Sequence, residues 1–358
     1  MKKTISLMLV LALCMVVKVA KADFTFGTPR NIGPAVNNSG IAIGPGISAD
    51  GLELYFMSFQ RSDGFGSCDI YVTTRKTTDD DWGEPKNLGP IVNSPNGEFD
   101  PSISGDGLSL YFSDGLWDVQ IPRPGGIGGG DIWVTRRETL SDPWGIPENL
   151  GSIVNSSSTE GGPGISADGL ALFFESNRAG GPGTWNLWVT TRASVSDPWR
   201  IPVNLGPAVN SPAFDAHPEI SSDGLALFFQ SRRSGPWDIW MTTRADVSDA
   251  FGLPVNIGQM IYNGVNGFPS ISSDGRLLYF TPDKFEIWQV PITPIVDFNS
   301  DGIVDSADIC IMVDHWGEDY SLCDVGPMPW GDGIVDVQDL IVLAEHLFEE
   351  FPPAESAQ

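Results

Sequence analysis

The sequence is poor in the residues with which proteins bind nucleic acid or build histidine-rich metal sites. Its 358 residues include 20 Lys and Arg against 46 Asp and Glu, and the formal net charge is -26 at pH 7. Phosphate backbones are bound by clustered Lys and Arg, so we expect no nucleic-acid partner. His217 is the sole histidine of residues 23–293, which excludes a multi-histidine metal site there. No run of about 18 apolar residues follows residue 22, so we expect no membrane span.

Residues 1–22 have the layout of an export signal. Lys2 and Lys3 supply the basic start, Ile5 to Val17 the apolar core, and Ala20-Lys21-Ala22 a cleavage site with small residues at both ends. We therefore expect a secreted protein whose mature chain begins at Asp23.

One ten-residue phrase recurs five times and organises the chain up to about residue 293. The copies begin at residues 47, 103, 165, 220 and 271 and read ISADGLELYF, ISGDGLSLYF, ISADGLALFF, ISSDGLALFF and ISSDGRLLYF. Each belongs to a longer unit that opens with an aromatic residue, namely Phe26, Trp82, Trp144, Trp199 or Phe251. Self-similarity at a spacing near 50 residues predicts a propeller or a solenoid.

Within each unit the residues indicate four strands, A to D, joined by tight turns. The Asp-Gly pair flanked by apolar runs is a strong hairpin signal, and runs such as LALFF are too short for a helix and suit a buried strand. There are five A, B and C strands, but the fifth set is followed by no fourth strand. The missing strand is found at the other end, as Pro29 to Gly33. We therefore predict an all-β, five-bladed β-propeller over residues 23–293, closed by its N-terminal strand.

The repeated residues identify a family at this point. The NLGP phrase, the proline before strand A, the SxDG turn, the LYF strand and the D-I-W/Y strand make residues 26–293 resemble the WD40-like PD40 repeats of TolB-type propellers. That resemblance implies a fold and not an activity, because propellers host unrelated functions.

A change in composition marks a second domain. From Asp297 to the end there are fifteen acidic residues and no Lys or Arg, so we place a linker at 294–296, a small all-α domain at 297–350 and a flexible tail at 351–358. Residues 297–308 have the spacing of a calcium loop, with Ile303 offering its carbonyl and side-chain ligands at Asp297, Asn299, Asp301, Asp305 and Asp308.

A second loop repeats this pattern less completely, with candidate ligands Asp332, Asp336 and Asp339. Met328 and Trp330 occupy its first and third positions and cannot bind calcium, unless Gly326 to Gly331 is an insertion that returns Asp324 to the ion. An oxidising compartment would also allow a Cys310 to Cys323 disulfide in this domain, leaving Cys68 buried in a blade.

Two calcium loops, each followed by one helix, resemble the type I dockerin module over residues 297–348. The resemblance implies Ca²⁺ as cofactor and a cohesin-like scaffold protein as partner, in a family that attaches secreted, mostly polysaccharide-active proteins to a scaffold. In that family the partner-facing residues occupy loop positions 10 and 11, which here are Ser306, Ala307, Val337 and Gln338.

Two positions at the start of strand A differ from repeat to repeat, although the residues around them are repeated. Three residues before the strand proline stand Ala42, Glu98, Glu160, Asp215 and Asn266, and one residue before it stand Gly44, Asp100, Gly162, His217 and Phe268. In a propeller these positions face the mouth of the central channel. The loops between strands B and C add four arginines there, namely Arg61, Arg178, Arg232 and Arg233.

These polar residues allow two interpretations. Glu98, Asp100, Glu160 and Asp215 could supply the carboxylate pair of a glycosidase, with His217, Asn266, Arg178 and Arg232 binding the ligand. Alternatively, the acids accept hydrogen bonds from neighbouring backbone or pair with the arginines of the next blade.

The aromatic residues are interpreted mainly as packing. Trp133, Trp188, Trp240 and Trp288 share one strand position with Tyr71, and Trp185 and Trp237 share another slot. Trp117 differs, because its Gly/Pro-rich insert has no counterpart in other repeats and would overhang the mouth as a lid or a partner contact, unless it is disordered.

The leading hypothesis is a secreted, monomeric propeller that recognises a polysaccharide or a partner protein and is tethered to a scaffold through calcium. The alternatives are a glycoside hydrolase or lyase with carboxylates at the channel mouth, and a purely structural interaction propeller.

Overall fold

The computed structural model describes residues 24–37, 40–59, 61–115, 123–299, 302–318, 320, 322–326 and 334–349. Within them the chain forms five antiparallel sheets and four short helices. The first strands of the five sheets contact one another in a closed ring, which confirms the five-bladed propeller. The proposed export signal, Trp117, Asp301, Asp332 and the tail 351–358 lie outside the described residues.

Four of the blades each contain four strands in the order A to D. Blade 1 comprises β3 Ile41–Ile47, β4 Glu53–Phe59, β5 Cys68–Thr74 and β6 Lys86–Asn87. Blade 2 comprises β7 Phe99–Ile103, β8 Ser109–Ser113, β9 Ile132–Arg136 and β10 Glu148–Asn149. Blade 3 comprises β11 Glu160–Ile165, β12 Ala171–Ser176, β13 Asn186–Thr191 and β14 Val203–Asn204. Blade 4 comprises β15 Asp215–Ile220, β16 Ala226–Ser231, β17 Asp238–Thr243 and β18 Val255–Asn256.

Blade 5 is completed by the N-terminal segment, as the strand count predicts. Its own strands are β19 Asn266–Ile271, β20 Leu277–Pro282 and β21 Trp288–Pro294, and β21 pairs with both β1 Phe24–Phe26 and β2 Arg30–Asn31. Arg30 lies opposite Gln289, and Phe24 lies opposite Pro294. Main-chain hydrogen bonds therefore close the ring and cover the edge of the last blade. Two short helices, α1 Pro34–Asn37 and α2 Gly258–Ile261, lie between blades.

The SxDG phrases form the turns between strands A and B. In the first copy Ser48 Oγ donates to Asp50 Oδ1 at 2.7 Å, and Asp50 accepts the backbone N–H of Leu52 at 3.0 Å. The turn glycine has a positive φ in all five copies, between 70° and 76°, as at Gly51. Glycine is required there because a side chain disfavours this left-handed conformation.

The core lies between blades, where neighbouring sheets pack face to face. Tyr55 of blade 1 packs with Leu110, Phe112 and Trp144 of blade 2. Four of the five opening aromatics are buried or half-buried, each under the arginine at the end of strand C, namely Trp82, Trp144, Trp199 and Phe251. The guanidinium of Arg75 lies 4.3 Å from the ring of Trp82, and Arg137 lies 4.6 Å from Trp144. Such pairs combine cation–π attraction with burial of the arginine stem.

The C-terminal segment forms helices α3 Ser306–Asp314 and α4 Val337–Glu345, related by an approximate internal repeat. Each begins with a capping box, formed by Asp305 with Asp308 and by Asp336 with Asp339. Val304 exchanges backbone hydrogen bonds with the chain after α4, and Val335 does so with the chain after α3. Within the described part of the chain, no helix is long and apolar enough to cross a bilayer.

The small C-terminal core also includes the residue that precedes its first loop. Val296 is buried with Val304, Met312 and Leu343, so the segment 294–296 joins the two domains as ordered chain. Cys310 is exposed on α3, whereas Cys323 is buried in this core. The disulfide that an oxidising compartment would allow stays a prediction, while Cys68 is buried in blade 1 as expected.

Candidate functional site

Three of the four acids considered for catalysis are buried in contacts that hold the propeller together. Glu98, Glu160 and Asp215 have no solvent exposure. Asp215 accepts hydrogen bonds from Ser211 N at 2.6 Å, Ser211 Oγ at 2.9 Å and Ser231 Oγ at 2.6 Å. Each acid thereby fastens the loop that enters its own strand A.

The arginines of the B-to-C loops complete this arrangement. Arg233 Nη2 lies 2.7 Å from Asp215 Oδ1, and Arg178 Nη2 lies 2.9 Å from Glu160 Oε1. Arg123 Nη1 is farther from Glu98 Oε1, at 3.8 Å. The same guanidinium groups stack on the strand-C aromatics, with Arg178 5.4 Å from Trp188 and Arg233 4.9 Å from Trp240. These contacts agree with the second interpretation, in which the acids pair with arginines and hold the fold together. Arg178 takes part in this pairing.

Asn266 takes the equivalent place in blade 5. It is fully buried, and its Nδ2 donates to Asp238 Oδ1 at 3.1 Å and to the carbonyl of Tyr262 at 3.0 Å. The position three residues before the proline is thus a fastening point in this blade too.

The position one residue before the proline lines the channel. Its five residues all adopt a left-handed backbone, with φ of 63° at Gly44, 54° at Asp100, 52° at Gly162, 48° at His217 and 53° at Phe268. The register of strand A shifts at this point in every blade, as in a β-bulge. Non-glycine residues rarely adopt this conformation, so Asp100, His217 and Phe268 are held there by the surrounding ring.

These residues line a narrow, partly open cavity of about 30 Å³ at the centre of the ring. Its walls also include Ser102, Glu219 and the five strand prolines. A water molecule needs roughly 10–15 Å³ measured in this way, whereas pockets for drug-sized ligands enclose roughly 300–1,000 Å³. The cavity can therefore hold about two water molecules and is too small for a sugar ring.

Asp100 and His217 meet across this cavity. Asp100 Oδ1 lies 3.5 Å from His217 Nδ1, and Glu175 Oε2 accepts the backbone N–H of His217 at 2.9 Å. Burial raises the pKa of Asp100 to about 7, against hydrogen bonds from Gly162 and Ser113 that lower it. Burial lowers the pKa of His217 to about 3, so the imidazole is neutral at pH 7.

Glu219 is a second carboxyl group on the cavity wall that sequence reasoning missed. Ser270 Oγ donates to Glu219 Oε1 at 3.2 Å. Burial raises the pKa of Glu219 to about 8, while hydrogen bonds from Ser270 and Ile271 oppose the shift. At neutral pH the cavity therefore carries two carboxyl groups that are largely or partly protonated.

Glu175 was also missed, although the repeats contain its signal. It follows the LFF phrase of strand B, where the other repeats have Met57, Ser113, Gln230 and Thr281. The residue at this position differs between repeats although its neighbours are conserved among them. The same is true of the positions one and three residues before the strand proline. Gln230 lies against the backbone of Gly267 in the next blade, as Glu175 lies against that of His217.

The start of strand C brings further side chains to the same end of the channel. Trp185 and Phe214 are joined by a parallel bridge, and their rings stack with centroids 5.1 Å apart. Phe214 and Trp237 meet edge to face at 4.9 Å, and the exposed Arg232 lies 4.6 Å from the ring of Trp237. We call Trp185, Phe214 and Trp237 the aromatic row. Arg232, unlike Arg178, lies beside this row.

The C-terminal loops have equivalent hydrogen bonds at their closing acids. Asp308 accepts the backbone N–H groups of Phe298 at 2.7 Å and Asn299 at 3.3 Å. Asp339 accepts those of Val325 at 2.6 Å and Gly326 at 2.7 Å. This equivalence places Asp324 where Asp297 stands in the first loop, as expected if residues 326–331 contain an insertion.

The oxygen-only donors of the first loop fit a hard cation such as Ca²⁺. Asp297 also accepts the backbone N–H of Gly302 at 2.9 Å, which fixes the turn where the loop reverses. Ile303 is exposed beside this turn, and Asp305 and Asp336 cap the two helices. Among the described residues, which leave out Asp301 and Asp332, no three acidic, histidine or cysteine side chains converge as a metal site. Calcium binding therefore stays a prediction.

The four residues expected to face a partner are exposed at the helix starts. Ser306 and Ala307 begin α3, and Val337 and Gln338 begin α4. One turn later α3 exposes Cys310, whereas α4 exposes Ile341. The face of α4 is thus more apolar than the face of α3.

No protein-family model and no curated protein matches this sequence. Among solved structures, the catalytic domain of a GH62 α-L-arabinofuranosidase from Coprinopsis cinerea is 10% identical, with 75% of this chain and 96% of that chain covered and a TM-score of 0.50. An α-L-arabinofuranosidase from Lactobacillus brevis is 13% identical, with 73% and 92% covered and a TM-score of 0.50. TolB from Acinetobacter baumannii is 15% identical, with 70% of this chain covered and a TM-score of 0.42.

The chain spans only 54% of the length of that TolB protein. At such identities these likenesses concern the fold alone. They assign the chain no activity.

Proposed function

We propose that this chain is a secreted recognition protein, whose propeller binds a polysaccharide at the channel mouth without cleaving it. The observation that carries this proposal is that the acidic residues at the channel mouth are buried and already hydrogen-bonded. Glu98, Glu160 and Asp215 are buried and engaged with serines and arginines, and the cavity beside Asp100 has room for only about two water molecules. A ligand would therefore bind on the mouth surface.

The C-terminal helices give the proposal its second part, a calcium-dependent attachment to a cohesin-like scaffold protein. Bound Ca²⁺ would neutralise the loop carboxylates and draw them together. Ser306 and Ala307 are exposed at the start of α3, and Val337 and Gln338 at the start of α4. The segment contains no Lys or Arg, so a partner with a basic rim would suit either helix start.

A second candidate function is a glycoside hydrolase or lyase. It is favoured by Asp100 and Glu219, which both line the cavity and have pKa values raised to about 7 and about 8 by burial. A carboxyl group protonated near neutral pH can act as a general acid. Cleavage would require the channel mouth to widen, because the scissile bond must reach these groups.

The test uses the full mature chain with calcium present and a panel of plant and algal polysaccharides. Bound protein and released reducing ends are measured on the same samples. Retention without release supports the recognition function. Release that disappears in Asp100→Asn and Glu219→Gln would establish the hydrolase instead, and neither retention nor release would leave a protein-interaction propeller.

A further inference from the structure

The slot at or just before the start of strand C is part of the seam between blades. It holds Cys68, Gly130, Trp185, Trp237 and Phe285 in the five repeats. In every blade the carbonyl of this residue accepts a backbone N–H from the start of strand A of the next blade, over 2.9–3.4 Å. Because Gly130 fulfils this role with no side chain, the seam itself does not require the rings at Trp185 and Trp237.

Two blades nevertheless carry large rings at this slot, and a third ring joins them. Phe214 lies between Trp185 and Trp237, with centroid distances of 5.1 and 4.9 Å. All three residues are half-buried, so the row is not sealed inside the propeller. The backbone N–H of Arg232 donates to the carbonyl of Phe214 at 3.0 Å, which holds the main chain of Arg232 beside the row, and its guanidinium lies 4.6 Å from the ring of Trp237. The rings are thus ordered before any ligand arrives, which lowers the entropy cost of binding.

We propose that the aromatic row, together with Arg232, is the binding subsite for an uncharged polysaccharide. This proposal rests on the proposed function, because it assumes that the mouth recognises a glycan. A sugar ring presents C–H groups on its face and hydroxyl groups around its edge. The row offers flat apolar surface to the face, and the exposed Arg232 offers hydrogen-bond donors to the edge.

The negative net charge of the chain favours neutral glycans over anionic ones. The sequence carries a formal charge of -26, which repels polyanionic chains at moderate ionic strength. A neutral chain such as a xylan or a β-glucan does not meet this repulsion.

The test measures the affinity of the full chain, with calcium present, for soluble xylan, mixed-linkage β-glucan and polygalacturonate. The variants are Trp185→Gly, Trp237→Gly and the double variant, since glycine already occupies this slot at Gly130. Phe285→Gly is the matched control, because it removes an exposed ring from the same slot in blade 5, outside the row. Arg232→Ala removes an exposed side chain and tests the polar part of the site without disturbing the seam.

We expect the unsubstituted protein to bind a neutral glycan more tightly than polygalacturonate. Each tryptophan variant should lose about tenfold in affinity, the double variant more, and Arg232→Ala a few-fold, while Phe285→Gly binds normally. Melting temperatures measured in parallel show whether a loss of affinity is caused by unfolding. If a tryptophan variant is unfolded, the affinity of Arg232→Ala decides the result.

Normal glycan binding by the double variant would overturn the subsite and leave the proposed function standing. An equal loss in Phe285→Gly would also overturn it. Failure of the unsubstituted protein to bind any glycan would overturn both proposals.

Discussion

Replacing Asp215 by asparagine should destabilise the propeller strongly, although the side chain keeps its shape. The carboxylate is fully buried and lies 2.7 Å from Arg233 Nη2, with three further hydrogen bonds from serines at 2.6–2.9 Å. The asparagine amide would leave the guanidinium without its countercharge and turn an N–H donor toward other donors. Breaking a buried ion pair on one side costs about 3–5 kcal/mol, which corresponds to a fall of roughly 5–9 °C in melting temperature for a domain of this size.

The matched comparison is Glu98→Gln in blade 2. Glu98 is equally buried, but Arg123 lies 3.8 Å away. Burial raises the pKa of Glu98 to about 7, with Ser94 and Arg123 opposing the shift. Since this carboxyl group is already partly neutral at pH 7, we expect its replacement to cost about 1 kcal/mol.

Thermal and urea unfolding of the two variants at pH 7, followed by circular dichroism, measures the difference. If Asp215→Asn unfolds at the same urea concentration as Glu98→Gln, the role assigned to these acids is wrong. A normal melting temperature combined with loss of a measured hydrolytic activity would return Asp215 to the catalytic candidates.

Four further predictions follow from the described contacts. The folded pKa of Glu98 lies above its ordinary value of 4.5, so the folded state holds the proton more tightly. Its contribution to stability should be full below about pH 4.5 and fall as pH rises to 7, by about 3 kcal/mol, and Glu98→Gln should flatten this slope in urea titrations. Gly164→Ala should cost about 1–3 kcal/mol, because the added methyl carbon would lie 2.1 Å from the carbonyl oxygen of Pro218. Removing residues 24–33 should expose the edge of β21 and cause aggregation in light scattering. Chelation of calcium should lower the free energy of unfolding of the C-terminal helices by about 2.7 kcal/mol, relative to the protein with calcium at 100 times its dissociation constant. In calorimetry the melting temperature of these helices should fall, and that of the propeller should not change.

Much of the propeller could be predicted because its physical requirements repeat in the sequence. The SxDG turn needs glycine at the same left-handed position in every copy, and the strand count alone implied that Pro29 to Gly33 pairs with the last blade. The structure confirms both features. Such patterns involve residues close together in the sequence, so they can be recognised without knowing the tertiary packing.

The candidate site was less predictable, because it depends on how the backbone turns at one residue. Strand alternation does not distinguish whether Glu98 or Asp100 faces the channel, since both lie on the same side of a regular strand. The bulge at Asp100 turns that residue inward and leaves Glu98 in the wall. Phe214 joins Trp185 and Trp237 only through contact between blades, which no spacing in the sequence encodes.

The most direct test of the central claim is a single experiment on the mature chain with calcium, in which polysaccharide binding and the release of reducing ends are measured together. The account predicts retention of the protein on a neutral polysaccharide with no release above the blank. Sustained release that is lost in Asp100→Asn would contradict it.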